Sequence, residues 1–217
     1  MRITIFGASG GVGSRTVREA IERGHEVVAV ARQRAGLVDL PASAERRTGD
    51  VSDPAQVAEL SAGSDLVISA TRPVAGQESE LVRAAEALLE GLADSEIRLL
   101  VVGGAGSLTV PGTGKTVLEQ PDFPADWVPI AEACNRQLAV FQGAARQADG
   151  GSVDWAYVSP AAMLEPGVRT GSYRLGADEL IVDDEGNSAI SMEDMAVALL
   201  DEAERPKHHR TRFTVGY

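Results

Sequence analysis

Arg2-Ile3-Thr4-Ile5-Phe6-Gly7-Ala8-Ser9-Gly10-Gly11-Val12-Gly13 is the stretch that determines the fold class of this chain. An apolar run typical of a buried strand leads directly into the glycines, and a segment of helical periodicity follows. Gly7 permits a sharp exit from the strand, Gly10 lets the backbone approach a pyrophosphate, and Gly13 lets the helix pack close to the sheet. Backbone N–H groups at the start of that helix then bind the anion. The stretch therefore predicts a dinucleotide-binding unit, in preference to a glycine-rich turn with a purely structural role.

Outward from this unit, short apolar runs alternate with helical segments along the chain. Val, Ile and Leu fill the runs continuously, as in strands that are covered on both faces. The predicted strands are Arg2–Phe6, Glu26–Ala31, Ala44–Thr48 (the weakest), Asp65–Ala70, Ile97–Gly103, Val153–Ser159 and Arg212–Val215. The predicted helices are Val12–Arg23, Glu78–Leu92, Ile130–Arg146 and Met192–Glu204. This alternation indicates an α/β fold, a Rossmann-type doubly wound parallel sheet in a single domain spanning residues 1–217.

The last quarter of the chain departs from this alternation. Leu180–Asp183 and Ser188–Ser191 flank the turn sequence Asp184-Glu185-Gly186-Asn187, which predicts a β-hairpin. Ser191 is then the expected N-cap of the last helix. We expect residues 165–191 to form a small ribbon or lid over an acceptor site on the same domain.

The charge balance excludes several classes of protein. The 217 residues carry 32 Asp and Glu against 20 Lys and Arg, a formal net charge of -12, whereas a nucleic-acid-binding protein needs a basic surface. No apolar run reaches the length of about 18 residues that a membrane span requires, and the first residues lack a signal-peptide pattern. The single cysteine, Cys134, excludes an internal disulfide and a multi-cysteine metal site. We therefore expect a cytoplasmic protein with no metal site, as a monomer or homodimer.

The end of the second predicted strand concerns the choice of coenzyme. NAD enzymes present an acidic side chain to the ribose about 20 residues after the glycines, but here Arg32-Gln33-Arg34 stands in that place. Guanidinium groups bind phosphate through paired N–H bonds, and Arg15 adds a third positive charge. NADP(H) is therefore predicted in preference to NAD(H), with Arg32 and Arg15 as ligands, while Arg34 is equally compatible with a solvated surface position.

Loops after the other strands complete the predicted coenzyme site, because ligands of open α/β sheets bind at the carboxyl ends of the strands. Asp50 is expected to accept a hydrogen bond from the adenine amino group, and the small residues 103–107 leave room for a flat ring. Ser107 is the candidate catalytic residue, orienting the nicotinamide or the acceptor. The predicted coenzyme ligands are Gly7, Ser9, Gly10, Gly11, Val12, Gly13, Arg15, Arg32, Asp50, Val51, Ala70, Thr71, Arg72, Gly103, Gly104, Ser159 and Pro160.

The proton-donating pair of carbonyl-reducing short-chain dehydrogenases, Tyr-x-x-x-Lys, is missing from the sequence. Four residues before Lys115 and Lys207 stand Pro111 and Ala203. We therefore expect hydride transfer to a small conjugated acceptor, such as a flavin, quinone or linear tetrapyrrole, that collects its proton from water. A non-catalytic NADP(H)-binding redox sensor that docks to a partner remains an alternative, and a sugar-nucleotide epimerase is disfavoured.

These features together resemble the atypical short-chain dehydrogenase/reductase superfamily, in particular a bacterial NADH-flavin reductase-like group that is similar to NmrA-type NAD(P)-binding proteins. The segments that carry the resemblance are Gly7–Gly13, Arg32, Gly49–Val51, Thr71-Arg72, Leu100–Ser107, Asp154–Ala161, Gly171–Asp178 and Glu185–Asp194. The first hundred residues also resemble the mammalian flavin reductase that acts as a biliverdin reductase.

The resemblance implies a Rossmann fold, NAD(P)H binding and reduction of a quinone or a flavin, with FMN or FAD as candidate substrates. It also implies that Ser107 or its glycine neighbour lies beside the nicotinamide. Ser159-Pro160-Ala161 stands where the mammalian relative has a histidine after paired prolines, and this difference argues against tetrapyrrole reduction.

Overall fold

The structure is a computed structural model that describes residues 1–146 and 152–217. Its strands are β1 (Arg2–Phe6), β2 (Glu26–Ala31), β3 (Glu45–Thr48), β4 (Leu66–Ser69), β5 (Arg98–Val102), β6 (Trp155–Pro160), β7 (Met163–Glu165), β8 (Arg174–Gly176), β9 (Ala189–Ser191) and β10 (Thr211–Gly216). Its α-helices are α1 (Gly11–Glu22), α2 (Pro54–Ser61), α3 (Glu80–Gly91), α4 (Val128–Ala145) and α5 (Met192–Glu204). Short 3₁₀ turns lie at Arg34–Leu37, Val117–Glu119 and Ala125–Trp127.

Eight strands form one sheet in the order β3-β2-β1-β4-β5-β6-β10-β8. Neighbouring strands run parallel, except that the edge strand β8 is antiparallel to β10. The predicted Rossmann-type, single-domain α/β fold is therefore confirmed, and every predicted strand and helix is present with small shifts at its ends.

Apolar side chains cover both faces of the sheet, as the continuous Val, Ile and Leu runs require. Helices α1 and α5 lie on one face, where Ile5 and Leu199 belong to one buried cluster. Helices α2, α3 and α4 cover the other face, where the ring of the fully buried Trp155 lies 5.4 Å from that of Phe141. This two-sided burial fixes the carboxyl ends of the parallel strands along one edge of the molecule.

The predicted hairpin around residues 184–187 is wrong. The turn exists, because the N–H groups of Glu185 and Asn187 donate to the Asp183 carboxylate, but β9 pairs in parallel with β7 instead of with the segment before the turn. That segment is held elsewhere, since the N–H of Leu180 donates to the Thr109 carbonyl at 2.8 Å and the Leu180 side chain is buried.

Within residues 1–146 and 152–217, no helix combines the length and the apolar character needed to cross a bilayer.

Candidate functional site

Two cavities open at the carboxyl edge of the sheet, where the winding of the sheet reverses. The chain moves outward from β1 through β2 to β3 and then returns to the other side of β1 as β4. A crevice at such a switch point is the usual ligand site of an open α/β sheet. The first cavity, the glycine-loop cleft, has a volume of about 150 Å³, and the second, the apolar cavity, of about 560 Å³. Arg72 lies in the wall of both, so the two cavities adjoin there, and together they are called the groove.

The glycine-loop cleft is built from the turns after β1, β2, β3 and β4 and from the start of α3. Its walls are formed by Phe6, Gly7, Ser9, Gly10, Val30, Ala31, Arg32, Gly49, Asp50, Val51, Ser52, Ala70, Thr71, Arg72, Pro73, Glu80, Leu81 and Ala84.

Two glycine positions where β1 passes into α1 leave no space for a side chain. Gly7 has φ +77°, and a Cβ there would lie 2.5 Å from the Ala70 carbonyl oxygen on the neighbouring strand end. A Cβ on Gly13 would lie 2.1 Å from the Gly7 carbonyl oxygen. Helix α1 therefore begins directly against the strand ends, as the glycine spacing predicts.

The N-terminus of α1 is a site suited to an anion. Its N-cap is Gly10, which offers no side chain to the backbone N–H groups of the first turn, and that turn contains no acidic residue. These N–H groups and the positive end of the helix dipole favour a phosphate or pyrophosphate. The residues present therefore fit the diphosphate bridge of a dinucleotide.

The far end of the cleft carries a cation between two carboxylates. Arg32 Nη1 donates to Glu80 Oε2 at 3.1 Å, and the Arg32 side chain is 52% exposed. Asp50 accepts hydrogen bonds from the N–H and the hydroxyl of Ser52, at 2.9 and 2.7 Å. These bonds lower the pKa of Asp50, and the charge of Arg32 adds to the effect. The Asp50 carboxylate thus already has a partner, and its predicted contact with adenine stays a prediction.

Sequence reasoning missed Glu80. The sequence predicts a helix that begins at Glu78, as the next element after a parallel strand. Such a helix begins near the carboxyl edge of the preceding strand, and this signal could have placed Glu80, the first residue of α3, in the cleft.

The prediction that Arg15 contacts the coenzyme is not supported by its position. Arg15 Nε donates to Glu193 Oε1 at 2.6 Å, and Arg15 Nη1 donates to the Gly11 carbonyl at 2.9 Å. The side chain thus pairs with α5, which packs beside α1 and could not be placed there from sequence alone. Arg15 is absent from the walls of both cavities.

The floor of the apolar cavity is the glycine-rich turn after β5. A Cβ on Gly103 would lie 1.9 Å from the ring of Tyr157, so this glycine accommodates the tyrosine beneath it. The Tyr157 hydroxyl donates to the Cys134 carbonyl at 3.0 Å. Burial raises the pKa of Tyr157 well above its ordinary value, and burial also raises the pKa of the Cys134 thiol to about 11. Tyr157 therefore supports the floor and stays protonated.

Two segments wall the apolar cavity, the irregular chain before α4 and the strand β7. Large side chains remain partly exposed on these walls, with Trp127 44% and Met163 41% exposed. The charged members of the wall are Arg72, Asp122 and Glu165. The full set is Arg72, Gly103, Gly104, Ala105, Gly106, Val110, Val117, Gln120, Asp122, Phe123, Pro124, Trp127, Ile130, Ala131, Cys134, Pro160, Ala161, Ala162, Met163, Leu164, Glu165 and Leu180.

Ser107 and Ser159 lie outside both cavity walls, contrary to expectation. Ser107 Oγ accepts a hydrogen bond of 2.7 Å from Arg212, which also pairs with Asp178. Arg212 is on β10, whose position next to β6 the sequence does not reveal. Ser159 is fully buried within β6, where successive side chains alternate between the two faces of the sheet. Neither residue belongs to the cavity walls, and the contact of each hydroxyl with a ligand stays a prediction.

The other predicted ligands fall into three groups. The glycine-loop cleft is lined by Gly7, Ser9, Gly10, Arg32, Asp50, Val51, Ala70, Thr71 and Arg72. The apolar cavity is lined by Gly103, Gly104 and Pro160. The first turn of α1 contains Gly11, Val12 and Gly13.

The middle of the predicted lid, residues 167–173, is fixed to α1 and α5. The fully buried Asp194 carboxylate accepts the N–H groups of Thr170 and Gly171 at 2.9 and 2.8 Å. Arg169 donates two bonds of 2.8 Å to Glu19, and these bonds lower the pKa of Glu19. Within residues 165–191, Glu165 and Leu180 are the positions that line the apolar cavity. Residues 165–191 are therefore a fixed strap that borders the cavity at Glu165 and Leu180.

Comparisons with known proteins match nearly the whole chain. The uncharacterized protein YwnB of Bacillus subtilis (strain 168) is 40% identical over 222 residues, which cover 99% of this chain and 98% of YwnB. SP1627 of Streptococcus pneumoniae TIGR4, a putative NADH-flavin reductase, is 30% identical with a TM-score of 0.87, covering 100% of this chain and 99% of its own. A putative epimerase from Bacteroides thetaiotaomicron is 40% identical with a TM-score of 0.88, covering 100% and 96%.

The family described as NAD(P)H-binding matches residues 7–206, which include the glycine loop, the strap and every wall residue of the two cavities except Phe6. The resemblance inferred from the sequence is thereby confirmed, and the chain belongs to the NAD(P)H-binding family.

Proposed function

We propose that the protein is an NADPH-dependent reductase that passes hydride to a small conjugated acceptor of the flavin or quinone type. The observation that carries the proposal is the groove formed by the two adjoining cavities. One end has an uncapped helix N-terminus suited to a pyrophosphate, the other end is apolar with a glycine floor, and Arg72 borders both. A dinucleotide in this groove would extend from the adenosine end at Arg32 to the floor at residues 103–106.

Binding in this proposal depends mainly on backbone groups. The N–H groups of Gly11, Val12 and Gly13 at the start of α1 would hold the diphosphate. Arg32 would contact the 2′-phosphate, since an exposed guanidinium at the end of β2 is the group that distinguishes NADPH from NADH. Glu80 competes for the same guanidinium, so we expect the preference for NADPH to be moderate.

The apolar cavity would contribute position and exclusion of water. A bound nicotinamide supplies the hydride, and the small floor residues Gly103 and Gly104 allow a flat ring to lie against it. Negative charge develops on a conjugated acceptor as hydride arrives, and the Arg72 guanidinium is the cation placed to stabilise it. The one proton that completes the reduction would come from water, since Ser107 accepts a hydrogen bond from Arg212 and lies outside the cavity wall.

Two alternative functions differ from this proposal, one in the substrate and the other in the absence of turnover. A sugar-nucleotide epimerase needs polar partners for sugar hydroxyls, whereas the walls around Trp127, Phe123 and Ile130 are apolar. A redox sensor that binds NADP(H) without turnover is favoured by the position of Ser107 outside the cavity.

The test measures the consumption of NADPH in the presence of menadione or riboflavin, which is monitored through the absorbance of NADPH. Turnover supports the reductase, provided that Arg72→Ala lowers kcat by a larger factor than it changes the KM for NADPH. Tight NADPH binding without turnover across the acceptors supports the sensor. We further propose a cytoplasmic location, where NADPH is supplied, and a monomer or homodimer, which sedimentation would distinguish.

A further inference from the structure

We infer that the acceptor is an uncharged conjugated molecule, and that Asp122 and Glu165 weaken the binding of phosphorylated flavins by charge repulsion. This inference rests on the proposed function and narrows it from flavins in general to riboflavin or a simple quinone. It excludes FMN and FAD as preferred substrates.

The first argument is the apolar character of the walls. Phe123, Trp127 and Ile130 approach the cavity from the α4 side, and Met163 and Leu164 approach it from β7. Trp127 and Met163 leave much of their large apolar surface exposed, at 44% and 41%. Such surface gains free energy when an aromatic ligand covers it.

The second argument is the sign of the charges on those walls. Asp122 precedes α4 and Glu165 ends β7, so the two carboxylates reach the cavity from its two separate walls. Within residues 1–146 and 152–217 neither carboxylate forms an ion pair. Both therefore repel an anionic group carried by the acceptor.

The third argument is the position of the cations. Arg72 is shared with the glycine-loop cleft and is therefore placed beside the coenzyme. Arg212 is paired with Asp178. Lys115 lies on the exposed turn at residues 111–115, outside the cavity wall. Among the described wall residues, a phosphate carried by an acceptor would thus meet two carboxylates and one cation, Arg72, which lies where the cavity adjoins the coenzyme cleft.

The reaction balances without a further reactant. NADPH gives a hydride to the acceptor, a proton comes from water, and the products are NADP⁺ and the two-electron-reduced flavin or quinone. The charge of a distant phosphate takes no part in these steps, so any difference between riboflavin and FMN reports recognition by the walls.

The experiment compares matched acceptors at saturating NADPH. Riboflavin is compared with FMN, and menadione with its sulfonate, at low and at high salt. Because Asp122 and Glu165 are exposed, we expect kcat/KM at low salt to be about fivefold higher for the uncharged member of each pair. The ratio should shrink as salt screens the carboxylates.

Asp122→Asn and Glu165→Gln should raise kcat/KM for FMN by a larger factor than kcat/KM for riboflavin, so that the preference for riboflavin falls. Asp126→Asn is the matched control, because it removes an equal charge from the same stretch of chain without touching the cavity wall. Lys115→Ala should not lower the rate with FMN; a selective loss would show that this lysine recruits the phosphate and would overturn the inference.

Binding is measured in parallel through tryptophan fluorescence of the NADP⁺-saturated protein, with Trp127→Phe to assign the signal. The chain has two tryptophans, and Trp155 is fully buried. Quenching by riboflavin at lower concentration than by FMN supports the inference even if no acceptor is reduced, in which case the proposed function fails alone. FMN equal to or better than riboflavin in both measurements overturns the inference and leaves the reductase intact.

Discussion

Replacement of Arg32 and of its partner Glu80 should change coenzyme selectivity in opposite directions. The pair is partly exposed, with 52% of the Arg32 side chain and 25% of the Glu80 side chain accessible, at 3.1 Å. A pair of this kind contributes about 0–1 kcal/mol, so Arg32 can leave Glu80 for a 2′-phosphate at little cost. A hydrogen bond to a charged group is worth about 1.5–3 kcal/mol.

These values give the expected changes. Arg32→Ala should weaken NADPH binding by about 10- to 100-fold and leave NADH binding within a factor of about two. Glu80→Gln should strengthen NADPH binding by up to about fivefold, because the competing carboxylate is gone. Arg34→Ala is the matched control, since Arg34 is exposed nearby on the chain but absent from the cleft wall.

Calorimetric titration with NADPH, NADH, AMP and 2′-phospho-AMP isolates the contribution of one phosphate. The difference between the two AMP ligands should disappear in Arg32→Ala. An equal loss for NADPH and NADH, or an effect of Arg34→Ala as large as that of Arg32→Ala, would refute this assignment.

Three further predictions concern the loop, the strap and the exposed turn. Gly13→Ala places a Cβ 2.1 Å from the Gly7 carbonyl oxygen. Coenzyme binding should therefore be lost and Tm should fall, whereas Gly24→Ala, at a site with open space but φ +83°, should cost stability alone. Asp194→Asn should destabilise the fold by about 2–3 kcal/mol, since it weakens buried bonds to a charged acceptor. Burial raises the pKa of Asp194, but hydrogen bonds from Thr170 and Tyr217 outweigh it and lower the pKa overall. This stabilisation is thus present above the unfolded value of about 3.9 and is lost as pH falls through the lower folded value; urea denaturation of both proteins across acid pH should show their difference shrinking. Lys115→Ala should leave the Kd for NADPH unchanged, and a large loss would show that the turn at 111–115 reaches the coenzyme.

The sequence predicts the elements whose residues carry their own signals. Ser191 caps α5 where expected, its hydroxyl accepting the N–H of Asp194 at 2.9 Å. Helix α2 was missed although Asp53 and Pro54 are a standard N-cap and first residue, because eight residues show little periodicity. The strands β7 and β8 have three residues each, too few for an alternating pattern.

The site was predictable where it depends on backbone geometry and less so where it depends on tertiary pairing. Gly7 and Gly13 follow from local sterics, so their positions in the turn agree with the prediction. Arg15 and Ser107 are removed from the groove by Glu193 and Arg212, which lie more than a hundred residues away in the sequence. No local pattern encodes such partners.

The central claim is that the N–H groups at the start of α1 bind the diphosphate of a nicotinamide coenzyme. Calorimetric titration of the unmodified protein with NADPH tests it most directly, with Gly13→Ala as the comparison. We predict saturable heat at one site per chain, accompanied by a rise in Tm, and neither effect in the variant. Absence of heat and of any Tm change in the unmodified protein, with NADPH, NADP⁺, NADH and NAD⁺ alike, would contradict the account.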